Sequence, residues 1–103
     1  MNLKCVNLTD KNKETLQTEI LYSITEAKAL GFYVLKLCFD FKDEKLVRFL
    51  DKSLKSLKKD GFIQLCVSSS EMQERTTGAE YLYNLYCELE SVETDSKFWL
   101  IKL

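Results

Sequence analysis

A chain of 103 residues is one domain, long enough to bury a single core without staples. With 46% hydrophobic and 30% charged residues it lies outside the composition of disordered chains, and it has no run of about 18 apolar residues to span a membrane. Fifteen basic against 16 acidic residues give a net charge of -1, so bulk charge points neither to nucleic acid nor to an anionic membrane. The absence of histidine removes the commonest general base and metal ligand.

Residues 3–8 read as a short strand, followed by the polar Thr9-Asp10-Lys11-Asn12. Asp10 or Asn12 caps the next helix, since either side chain can accept from the unbonded N–H groups of a first turn. From Thr15 onward Leu16, Ile20, Ile24 and Ala27 recur in steps of three and four, which lays them on one helical face. Gly31 stops this helix because glycine enters the left-handed region without a Cβ clash. Residues 32–39 (Phe-Tyr-Val-Leu-Lys-Leu-Cys-Phe) are aromatic and β-branched and predict a second strand.

Asp40-Phe41-Lys42-Asp43 makes the turn into a second helix over 43–59, whose apolar face is Leu46, Val47, Leu50, Leu54 and Leu57. Asp60-Gly61 ends it, and residues 62–67 predict a third strand. Ser68-Ser69-Ser70 opens a polar connection that reaches Thr77. Thr77-Gly78-Ala79-Glu80 fits a capping box, in which the Thr hydroxyl and the Glu carboxylate each satisfy a free backbone donor. Tyr81, Leu82, Leu85 and Leu89 then form a third helical stripe. Residues 91–96 are a loop before a last strand over 97–103. The order is βαβαβαβ, uninterrupted by proline, which predicts an α/β sheet layer with at least its first two strands parallel.

No apolar leader core precedes the first strand, so a soluble, cytoplasmic protein is expected. The four cysteines, Cys5, Cys38, Cys66 and Cys87, include no CxxC pair, and histidine is unavailable to complete a mixed site. They are expected to be reduced thiols acting as small hydrophobes. No metal and no cofactor is expected.

Val6-Asn7-Leu8, the polar stretch after it, a helix ending near Ala27-Lys28-Ala29-Leu30-Gly31, and then Val34-Leu35-Lys36-Leu37 resemble the opening of Smr domains. Leu57-Lys58-Lys59-Asp60-Gly61-Phe62-Ile63 resembles the Lys-x-x-Gly end of the second helix in stand-alone bacterial members. Residues 80–90 and 98–103 match those members' added helical segment and last strand. The resemblance covers nearly the whole chain in element order. It implies a two-layer α+β domain, with a four-stranded mixed sheet and helices on one face, similar to the C-terminal domain of a bacterial translation initiation factor. The family's His-Gly-x-Gly-like loop is absent. Its place is taken by Cys38-Phe39-Asp40-Phe41-Lys42-Asp43, with Phe39 about where the His would stand, and Asn7-Leu8-Thr9 replaces an Asp- and His-bearing stretch. No catalytic residue carries over, so the nuclease activity reported for some members is not expected.

Three constellations remain. Lys45, Arg48, Lys52, Lys55 and Lys59 fall within a sector of about 80° on the second helix, opposite its leucines. A line of cations on a rigid helix suits a phosphate backbone of DNA or RNA, although this face has no aromatic residue for stacking; the alternative is a solvated surface. Strand alternation places Cys5 with Asn7, Lys36 with Cys38, and Gln64 with Cys66 on common faces. If helices cover one side of the sheet, Cys5, Val34, Lys36, Cys38, Phe62, Gln64, Cys66 and Phe98 line the other, a half-apolar surface suited to a homodimer or a protein partner; the equal alternative is that the third helix or a loop covers this face. Finally, Asp40, Asp43 and Glu44 could hold Mg²⁺, but helix capping by Asp43 and dipole complementarity by Glu44 account for two of them. The serine run has no partner for a nucleophile.

Overall fold

In the computed structural model, which describes residues 3–9, 11–69 and 97–103, the elements follow as β1 (Leu3–Asn7), α1 (Lys13–Ala29), β2 (Val34–Phe39), α2 (Glu44–Lys59), β3 (Leu65–Ser68) and β4 (Lys97–Lys102). The expected third helix, with its capping box and Cys87, lies outside the described residues.

Both helices start on a polar cap. Asn12 accepts from the Glu14 N–H at 2.9 Å, and Asp43 accepts from the Lys45 N–H at 2.9 Å. Of the two candidate caps for α1, it is Asn12 that takes the role. Both helices also end alike. The Phe32 N–H reaches back to the Ala27 carbonyl at 3.0 Å, and the Phe62 N–H to that of Leu57 at 2.9 Å. Gly31 at φ 84° and Gly61 at φ 82° make the left-handed step that each Schellman closure requires.

The sheet order is β1-β2-β4-β3. β1 pairs parallel with β2, and β4 lies between β2 and β3, antiparallel to both, which makes the sheet mixed. Register sorts the side chains. Lys4, Leu35, Ile101 and Cys66 form one cross-strand row, and Val6, Leu37, Trp99 and Ser68 the next. These rows face the helices. Leu16, Ile20, Ile24 and Ala27 of α1 and Leu46, Leu50 and Leu54 of α2 close over them in one core. Burial of each leucine or isoleucine there contributes about 1.5–3 kcal/mol. β1 is further tied to α1 where the Lys4 ammonium donates to the Glu26 carboxylate, which also accepts from Tyr22.

The third strand starts later than its residues suggest. Phe62 belongs to the closure of α2, Ile63 turns into the core at 2% exposure, and regular pairing begins only at Leu65. This irregular entry reverses the alternation, so Cys66 faces the helices while Leu65 and Val67 face away.

The side of the sheet away from the helices is largely buried. Val34, Val67, Phe98 and Leu100 form a second buried cluster there. Lys36 is also buried, with its ammonium 5.1 Å from the centre of the Phe98 ring, a cation–π contact.

Candidate functional site

The five cations expected on the second helix are all exposed on α2, opposite Leu50 and Leu54, which are fully buried. Arg48 donates to Glu44 at 3.3 Å and Lys55 lies 3.2 Å from Asp51, each one turn apart. Such exposed pairs contribute about 0.3–0.5 kcal/mol and exchange readily for another anion. Among the described residues, Lys45, Lys52 and Lys59 carry no ion pair. The two acids flank the row on one side. On its other side is the half-buried Phe49, with the Lys13 ammonium of α1 at 6.0 Å from its ring. Lys13 thus widens the positive surface, a contribution visible only once α1 and α2 are packed together.

At the carboxyl ends of β1 and β2, where ligands of open α/β sheets commonly sit, the chain forms two clefts that share Phe39 as a wall. The first, about 220 Å³, is lined by Asn7, Leu8, Thr9, Cys38, Phe39 and Asp40. The Leu8 N–H donates to the Cys38 carbonyl at 2.8 Å, which holds the two strand ends together. Glu19 takes the Thr9 N–H at 2.9 Å and its hydroxyl at 3.3 Å, which fixes the rim. Residues 7–9 and 38–40 together make a largely apolar hollow.

The second cleft, about 300 Å³, lies between the first turns of α2 and the adjoining ends of β3 and β4. Arg48, Asp51, Ser68, Ser69 and Lys97 supply its polar groups, and Trp99 and Phe39 its apolar wall. Arg48 therefore belongs both to the cationic row and to this concavity. Lys97, Ser68 and Ser69 carry no sequence signal for such a site. They reach it through the pairing of β4 with β2 and β3.

The remaining candidates are dispersed. On the side away from the helices, Cys5 is exposed, Cys38 half-buried, and Val34, Lys36 and Phe98 buried. Cys66 points to the opposite side, into the core. Gln64 precedes β3, its N–H bonded to the Lys102 carbonyl at 2.8 Å. Phe62, 55% exposed, lies at the opposite end of the sheet from the clefts, where its carbonyl accepts from the Lys28 ammonium. The eight residues thus do not form one surface. Cys5, Cys38 and Cys66 form no disulfide. Asp43 caps α2, Asp40 lines the first cleft, and no three acidic or thiol side chains converge among the described residues. No helix of the described residues is long and apolar enough to cross a membrane.

Comparison of the chain with protein-family models, curated proteins and solved structures finds no match.

Proposed function

We propose that this chain is a divergent, non-catalytic Smr-like domain that binds nucleic acid through the exposed face of α2. The observation that carries the reading is the row itself. Lys45, Arg48, Lys52, Lys55 and Lys59 are all exposed on one face of a helix whose opposite face is locked into the core. A rigid helix holds its cations at a rise of about 5 Å per step. That spacing places successive charges along a phosphate backbone, and the counterions released on binding supply the affinity. The missing histidine and the apolar first cleft support a binding rather than a catalytic role.

The alternative, self-association or protein docking through the far side of the sheet, has less support, because Val34, Lys36 and Phe98 are buried there.

The test is fluorescence anisotropy with labelled single-stranded and duplex oligonucleotides at low and at physiological salt. Lys52→Glu with Lys55→Glu should weaken binding and flatten its salt dependence while the fold, read by circular dichroism, stays intact. Unchanged affinity in the doubly reversed protein would refute the reading.

A further inference from the structure

We infer that the cleft beside Arg48 holds a terminal phosphate monoester of a single nucleic-acid strand lying along α2. The inference builds on the nucleic-acid reading and assigns the strand end to a separate site.

The row and the cleft differ in shape and charge. The row is convex, and each of its cations meets one diester phosphate bearing a single negative charge. The cleft is concave, about 300 Å³, and brings two cations to one place. Arg48 enters from α2. Lys97 enters from the first position of β4, where it pairs with Phe39 and so lies on the helix side of the sheet, at the end of the strands. A phosphate monoester carries a charge of about −1.5 to −2 at neutral pH and three acceptor oxygens, which suits two converging cations better than a diester does. The guanidinium offers a planar fork for two of those oxygens.

The hydroxyls fit the same group. The Ser69 oxygen accepts from the Phe98 N–H at 3.4 Å, which leaves its proton to donate into the cleft. Ser68 lines the cleft beside it, on the helix side of the sheet opposite Trp99. Asp51 also lines the cleft, with its carboxylate paired to Lys55, and Glu44, which pairs with Arg48, is exposed. Arg48 can therefore exchange an exposed carboxylate for a phosphate without leaving a buried charge behind. From Arg48 the row continues through Lys52 and Lys55 to Lys59, so a strand anchored at its end is carried straight onto the helix.

The experiment compares one single-stranded oligonucleotide bearing phosphate at its 5′ end, at its 3′ end, or at neither, by anisotropy on the full chain. One phosphorylated form should bind roughly tenfold more tightly than the hydroxyl-ended strand. Lys97→Ala, at an exposed position, should remove that preference and leave binding of the hydroxyl-ended strand unchanged. Lys59→Ala should weaken all three alike. Equal binding of the three strands, or an equal loss for all three in Lys97→Ala, overturns the cleft assignment and leaves the helix reading standing. A phosphate preference that survives the Lys52→Glu and Lys55→Glu reversals at full affinity overturns the helix reading and leaves the cleft standing. No binding of any strand overturns both.

Discussion

The rings of Phe39 and Phe41 stack with their centres 5.0 Å apart and their planes inclined by 25°. Both rings are buried, and between them the chain leaves β2 and turns toward α2. The stack pins this turn as bulky side chains can, where a glycine-bearing loop would leave backbone exposed. Phe39 also forms the wall shared by the two clefts. Phe39→Ala is expected to cost about 3–5 kcal/mol, from the lost burial and the cavity left behind. Urea unfolding should show a lower midpoint with little change in slope. Phe39→Leu, which keeps most of the volume, should cost less than half as much.

Gly31 and Gly61 provide a cleaner test of backbone conformation. A Cβ added at either meets no atom within 4 Å, so substitution there creates no clash and the cost is that of the positive φ alone. Gly31→Ala and Gly61→Ala should each destabilise by about 1–2 kcal/mol, and by similar amounts, in chemical denaturation. A much larger loss at one site would mean that its closure holds more than the helix end.

Much of this architecture is legible in the residues. The steps of three and four from Leu16 to Ala27 and from Leu46 to Leu54 identify the two buried faces, because a helix packed on a sheet must bury one stripe. Asp43, Gly31 and Gly61 mark helix ends through local hydrogen bonding alone, whereas Asp10 and Asn12 are both eligible to cap α1 and the structure selects Asn12. The entry to β3 is not legible. Phe62 and Gln64 continue an apparent alternation, yet the closure of α2 takes the first and leaves the second outside the regular ladder, so Cys66 faces the core. The cationic row follows from helical periodicity. The second cleft does not, since Lys97, Ser68 and Arg48 meet only through long-range strand pairing, which no local pattern encodes.

Glu26 gives a pH signature. The hydrogen bond from Lys4, and after it the one from Tyr22, hold its carboxyl below its ordinary value of 4.5. A folded-state pKa below that of the unfolded chain means that the ionised form is favoured by folding. The resulting stabilisation is fully present above about pH 4.5 and is lost as pH falls through the depressed value. Glu26→Gln should therefore lower the melting temperature at pH 6 to 7, with the gap to the parent protein narrowing as the pH falls below 4. A gap that stays constant across that range would count against the ion pair as its source.

The proposed nucleic-acid binding predicts a salt dependence of definite size. Five phosphate contacts on a single strand predict a slope of log affinity against log salt of roughly −3.5, and reversal of Lys52 and Lys55 should bring it to about −2 or flatter. Anisotropy titrations across a salt series measure both slopes directly. A parent slope near zero would mean that the row does not engage phosphates.

The closure at Gly61 also sets a dimension. From Lys45 to Lys59 the helix advances about 21 Å, and the left-handed step just after Asp60 prevents it from advancing further. The positive track is thus a ruler of fixed length, clamped at one end by the Asp43 cap and at the other by a glycine. Under the proposed binding, its footprint on a strand is set by helix geometry, so oligonucleotides shorter than the ruler should gain affinity with each added nucleotide, and longer ones should gain little.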